Sequence, residues 1–153
     1  DAGLRTALHP HWGLAIATGT DIDRLLHSSD VGLCVDTGHI YLAGADPVDV
    51  VKAARGRVLH VHLKDVDPAG AERVRSGATP FRQAVIDGLF VPLGKGAVDI
   101  AGVIKVLEDD GYRGWYVLEQ DVSLSEAPPE GGGPKADAVD SVAYLRGLVG
   151  GPA

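Results

Sequence analysis

The sequence is poor in sulfur. It has no methionine and a single cysteine, Cys34. One thiol excludes an internal disulfide framework and a cysteine-rich zinc module, and it fits a reducing compartment such as the cytoplasm. The lack of methionine predicts a chain that is processed or is a fragment. No run of about 18 apolar residues occurs, which excludes a membrane-spanning helix. Basic residues are also outnumbered: Lys and Arg total 14 against 21 Asp and Glu, a net charge of −7. Nucleic-acid affinity rests on phosphate neutralisation by Lys and Arg, so this balance argues against a polyanion binder. At 153 residues the chain is also too short for a complete eight-stranded α/β barrel, which takes about 250 residues and rarely fewer than roughly 200. What remains is 45% hydrophobic. That is enough for a packed core in one domain, spanning 1–153.

Four segments read as buried strands: 4–11, 31–36 (VGLCVD), 58–63 (VLHVHL) and 115–119 (WYVLE). Near-continuous apolar runs suit strands covered on both faces. Helical patterns alternate with them. Thr20 and Asp21 open a helix carrying Ile22, Leu25 and Leu26, and Asp46-Pro47 opens 48–54. Asp99 opens a helix with Ile100, Val103, Ile104 and Leu107 on one face. Residues 138–148 repeat the spacing with Val139, Val142 and Leu145, and a short helix follows Thr79-Pro80 with Phe81, Val85 and Ile86 inward. Residues 65–79 read as a long polar loop, and 123–135, rich in Pro, Gly and Glu, as a mobile one. The β-α order, four times over, predicts an α/β fold with parallel strands and outer helices: a (βα)4 half of a TIM-type (β/α)8 barrel.

Every strand ends in ionisable side chains. His9 and His11 end the first and Asp36 the second, with His39 three residues on. The third carries His60, His62 and Lys64, then Asp65; the fourth ends in Glu119, then Gln120 and Asp121. Active sites of parallel α/β folds lie at the carboxyl ends of the strands. Alternation places His9 with His11, and His60 with His62 and Lys64, on one face of each strand. Imidazoles and carboxylates without a useful thiolate suit divalent Mn, Co, Fe or Zn. Asp36, His62 and Glu119, from three successive strands, can converge on one ion. Lys64 suits a ketone oxygen or enolate better than a metal.

Each residue also has a plainer reading. Asp36 caps the turn at Thr37-Gly38; His39 is a loop residue; His60 is a hydrogen-bonded core histidine. Glu119 and Asp65 are solvated rim charges, and Cys34 packs as a small hydrophobe. Trp12 is either core or a wall for a sugar ring. Taken together, the repetition at four strand ends favours a site. Gly94-Lys95-Gly96 lacks phosphate-loop spacing and reads as a tight turn.

The series HPHWG (9–13), DTGH (36–39), HVHLKD (60–65), GLFVPLGKGAVD (88–99) and GWYVLEQD (114–121) resembles the xylose-isomerase-like TIM-barrel superfamily, and within it most closely the inosose dehydratases of inositol breakdown. The resemblance runs from Leu4 to about Leu148. It implies strands five to eight of the barrel and a metal held by Asp36, His62 and Glu119. The superfamily's first Glu position falls at His9, so His9 or His11 takes that place or neither does. The resemblance implies Mn or Co, with Zn also accommodated. His39, Lys64, His11 and Glu119 stand in the catalytic positions, and Trp12, His60 and Asp65 line the substrate.

The activity so implied is dehydration of 2-keto-myo-inositol through an enediolate. A ketose epimerase or aldose–ketose isomerase would use the same metal and intermediate. A DNA-repair endonuclease is disfavoured by the acidic charge. A half-barrel that binds metal or a partner but lacks a finished pocket is the non-enzymatic alternative. The expected partners are a polyol or keto-sugar substrate and either the missing half-barrel or a second copy, with no nucleic acid and no membrane.

Overall fold

Four parallel strands form the centre of the molecule, in the order β1-β2-β3-β6. They are β1 (Ala7–Leu8), β2 (Gly32–Asp36), β3 (Val58–Leu63) and β6 (Tyr116–Leu118). The computed structural model describes residues 3–149; the ends of the 1–153 span lie outside the described residues. Between β1 and β2 runs α1 (Gly19–Ser28). Between β2 and β3 run α2 (Thr37–Leu42) and α3 (Pro47–Ala53), and α7 (Pro134–Val149) follows β6. The long β3–β6 connection holds β4 (Asp65–Val66), α4 (Pro68–Arg75), α5 (Phe81–Ile86), β5 (Phe90–Val91) and α6 (Ile100–Asp109). Among the described residues no helix is long and apolar enough to cross a membrane.

Local chemistry starts the helices where it should. Thr18 and Asp21 form a capping box on α1, and Asp46, Asp67 and Asp99 accept from the first-turn amides of α3, α4 and α6. Leu33, Val35, Val61 and Leu63 are fully buried in one cluster with Ile22 of α1, Val50 and Val51 of α3, and Ile100, Val103 and Leu107 of α6. Strand alternation sends Cys34, Asp36, His60 and His62 to the other face. There Cys34 is in register with His60 and Asp36 with His62.

The structure departs from several expectations. Only Ala7–Leu8 of 4–11 is strand, and only Tyr116–Leu118 of 115–119. Both are edges of the sheet, each with one partner, and ladder pairing ends early: Leu4 is 84% and Trp115 80% exposed. Residues 65–79 are no loop. Asp67-Pro68 caps α4, whose Ala71 and Val74 are buried, while β4 pairs antiparallel with β5. Ile86 faces solvent and Ala84 takes the inward place on α5. The last helix starts at Pro134, inside the expected loop 123–135. It buries Ser141, whose hydroxyl accepts from Leu93 N (3.0 Å), and so turns Val139 (62%) and Val142 (38%) outward.

Asp65 also differs from its expected place. It is fully buried, neither a solvated rim charge nor free to meet substrate. Its Oδ1 accepts from Val66 N and Val98 N, and its Oδ2 from Gly94 N and Gly96 N, at 2.9–3.0 Å. One carboxylate thus holds the whole Gly94–Val98 turn, and a Cβ at Gly96 would collide with it.

Candidate metal centre

Asp36 ends β2 and is the N-cap of α2. Its two oxygens divide the work. Oδ1 accepts from His39 N at 2.8 Å, which caps the helix. Oδ2 faces His9 Nε2 (3.4 Å), His62 Nδ1 (3.7 Å) and Lys64 Nζ (3.3 Å). The capping and site readings of Asp36 are both realised, one per oxygen. Burial pushes the carboxyl up, but contacts with His62 and His9 and the charge of Lys64 outweigh it and hold the group well below the usual carboxylate range.

Lys64 lies at the end of β3 with no exposed surface. Its ammonium donates to Glu119 Oε1 (2.8 Å), Asp121 Oδ2 (3.2 Å) and His39 Nε2 (3.2 Å), and stands 4.9 Å from the centre of the Phe90 ring. Burial works against its charge, yet Asp36, Glu119 and Asp121 raise its pKa, so it stays an ammonium. The stem passes over Gly38, where any Cβ would meet it at 2.6–2.9 Å. The Thr37 hydroxyl bonds both backbone groups of Lys64, accepting from its N (2.9 Å) and donating to its O (2.7 Å). Thr37→Val keeps the shape and strands two buried backbone groups. A loss of about 2 kcal/mol is expected, at a typical 1–3 kcal/mol for an unsatisfied buried partner, read as a lower urea midpoint at unchanged slope.

Two histidines have defined tautomers. An ammonium can only donate, so His39 Nε2 accepts from Lys64 and Nδ1 carries the hydrogen. Burial pulls the His39 pKa down to about 3, with Lys64 adding to it against Asp36, so the ring is neutral at physiological pH. His11 donates Nδ1–H to Trp12 O (2.9 Å), leaving Nε2 with a free lone pair, and stacks on His39 at 3.6 Å between centroids. The contact to Asp36 raises the pKa of His62, against burial, with Glu119 assisting.

A divalent ion fits this donor set. His9 Nε2, Asp36 Oδ2, His62 Nδ1 and Glu119 Oε2 are buried, and none makes a hydrogen bond among the described residues. His62 Nδ1 and Glu119 Oε2 stand 2.6 Å apart without hydrogen-bond alignment. The donor atoms of Asp36, His62 and Glu119 all lie within 4.8 Å of one another, compatible with ligand bonds of about 2.0–2.2 Å. Buried polar atoms without partners are rare and call for a ligand.

The structure therefore brings together His9, His11, Asp36, His39, His62, Lys64 and Glu119. His60 lies beside His62, at 5.1 Å between ring centroids. Trp12 gives its carbonyl to His11 while its ring packs against the core, and Asp65 belongs to the turn. The sequence gives no site role to Asp121, Thr37 or the Phe81 and Phe90 rings, the last two of which lie 6.1 and 5.9 Å from His39.

The profile of the xylose isomerase-like TIM barrel matches residues 1–148. The chain belongs to this family. Inosose dehydratase from Geobacillus thermodenitrificans (strain NG80-2) is 36% identical over 153 residues, 98% of this chain and 50% of the relative. The rhizopine catabolism protein MocC of Rhizobium meliloti is 36% identical over 83% of this chain and 40% of the relative. The chain spans about half the length of the curated relatives it matches. Among solved structures, the probable 3-DHS dehydratase AsbF from Bacillus anthracis superposes with a TM-score of 0.65 at 23% identity, covering 94% of this chain and 48% of its own. The zinc-containing IOLI protein superposes at 0.63 and 18% identity, covering 96% and 49%. In this xylose isomerase-like chain the parallel strands and outer helices are thus half of the barrel of its neighbours, and the cluster lies at the carboxyl ends of those strands.

Proposed function

We propose that the chain supplies the metal-binding half of a hydro-lyase that dehydrates 2-keto-myo-inositol to a hydroxylated cyclohexanedione and water. One observation supports the reading: the donor atoms of Asp36, His62 and Glu119 lie within 4.8 Å of one another, with His9 Nε2 3.4 Å from Asp36 Oδ2 and none of the four atoms hydrogen-bonded among the described residues, in a chain 36% identical to an inosose dehydratase. The ion, Mn or Co with Zn as the alternative, supplies Lewis acidity toward the ketone and its neighbouring hydroxyl.

The protein residues do the rest. His11 is held by its Nδ1–H, so Nε2 is the base that takes the proton α to the ketone. The fixed charge of Lys64 stabilises the resulting enediolate. His39 offers its Nδ1–H to substrate oxygen as a neutral donor, since its low pKa keeps it from acting as an imidazolium. The proton on His11 then leaves with the β-hydroxyl as water. Glu119, with Oε1 on Lys64 and Oε2 at the metal cluster, acts as a ligand and not as the base. His60, in the adjoining layer, contacts substrate.

The partner of this chain is a first (βα)4 half. The sheet ends in two edges, and Val139 and Val142 project apolar surface outward from the last helix. Replacing both valines by Asp is expected to weaken association with a co-produced first half at least tenfold, about 1.4 kcal/mol, with unchanged far-UV dichroism of the chain itself. Equal co-purification of parent and variant would exclude that face.

Turnover tests the activity. With Mn, the assembled barrel should convert 2-keto-myo-inositol to a product with dicarbonyl absorbance and release water. An epimerised ketone with every hydroxyl retained would move the assignment to the epimerase and isomerase reading.

A further inference from the structure

Cys34 has no part in the site described above. It is 94% buried by its 6% exposure, a free thiol on the same face of β2 as Asp36. Two residues of strand separate them, about 6.6 Å along the chain axis. Its sulfur and one ring nitrogen each of His9 and His62 lie within 4.8 Å of one another. The His9 and His62 rings are 5.1 Å apart, centre to centre. Cys34, one layer below Asp36 on β2, thus faces the same His9 and His62 that flank the Asp36 carboxylate.

We infer that Cys34, His9 and His62 form a second, thiophilic metal site, which takes soft or borderline cations such as Cd2+ and Zn2+ and excludes an ion at the carboxylate site because both draw on His9 and His62. Thiolate and imidazole select such ions, whereas Asp36 and Glu119 favour harder ones. Binding forms one metal–sulfur bond and breaks the S–H bond, and the proton goes to solvent. Burial and the nearby carboxylates favour the neutral thiol when no ion is present, and a cation reverses that preference locally. Two alternative sites that share both histidines give the protein a built-in sensitivity to thiophilic metals.

The exclusion rests on the carboxylate-site reading; the sulfur site does not. Cadmium titration of the full chain in a thiol-free buffer should raise a thiolate-to-metal charge-transfer band that saturates at one equivalent. Cys34→Ser should abolish the band and weaken Cd2+ at least tenfold, and His9→Ala should weaken it at least tenfold with the band retained at saturation. Asp36→Asn should keep the band. Mn2+, followed by its paramagnetic resonance, should show the opposite pattern, lost in Asp36→Asn and retained in Cys34→Ser, and Cd2+ should displace it. Absence of the band in the parent chain, full Cd2+ affinity in His9→Ala, or loss of the band in Asp36→Asn overturns the sulfur site. Mn2+ and the cadmium band coexisting at saturation overturns the exclusion. Failure of Mn2+ to bind the parent chain, with the cadmium pattern intact, refutes the carboxylate site alone.

Discussion

Asp36→Asn is expected to bind Mn2+ about a hundredfold more weakly, roughly 2.7 kcal/mol, while the chain keeps its helical content. The reason lies in the division of labour between the two oxygens. Asn is as good an N-cap as Asp, and its amide oxygen can take over the hydrogen bond from His39 N at the start of α2. The other position becomes an NH2, which turns a donor toward His9 Nε2 and His62 Nδ1 where the carboxylate offered a negative acceptor. The metal is lost and the cap survives. Isothermal titration and far-UV dichroism on the same sample separate the two effects, and parent-like affinity would remove Asp36 from the ligand set. Acid behaviour should change as well. Asp36 is held below its unfolded value of about 3.9, so its contribution to the metal-free chain is complete above that pH and drains away as pH falls toward the native value. The Asn variant lacks that arm of the acid transition.

How much of this could be read in the sequence follows from which signals are local. Asp36, His62 and Glu119 were legible because parallel strands deliver their last side chains to one end, whatever the details of packing. The helix starts at Asp46-Pro47 and Asp99 were legible for the same kind of reason, since a cap is written within four residues. The Asp67-Pro68 start of α4 carries that very signal, and was hidden by the charged composition of 65–79. Other features depend on contacts between segments distant in the chain. Nothing near Asp65 announces that its carboxylate will meet the amides of Gly94, Gly96 and Val98. Thr37 looks like a turn residue until Lys64 arrives beside it, 27 positions later. Valine spacing fits either face of α7, and the buried Ser141 decides. Sequence periodicity reports which residues share a face, while the partner of that face is fixed by the rest of the fold.

Lys64→Met should give the largest change in stability, and the metal should reverse much of it. In the metal-free chain the Lys64 ammonium sits 2.8–3.3 Å from oxygens of Glu119, Asp121 and Asp36. Removing one partner of a buried ion network leaves the others uncompensated, at about 3–5 kcal/mol. Methionine fills the channel over Gly38, and its thioether suits the Phe90 ring that now receives the ammonium, so packing is disturbed little and the loss is electrostatic. A divalent cation bound by Asp36, His62 and Glu119 restores positive charge to the same carboxylates. It also binds without competing against the lysine for Glu119 and Asp36. Ligand stabilisation grows as RT ln(1 + [L]/Kd), about 4 kcal/mol at a thousandfold excess over Kd. Thermal melts with and without Mn2+ should therefore show a larger metal-induced rise in Tm for Lys64→Met than for the parent chain. A variant that melts like the parent without metal would show that the three carboxylates do not depend on Lys64. One that is destabilised but gains no more from Mn2+ than the parent would show that the ion and the ammonium serve different carboxylates.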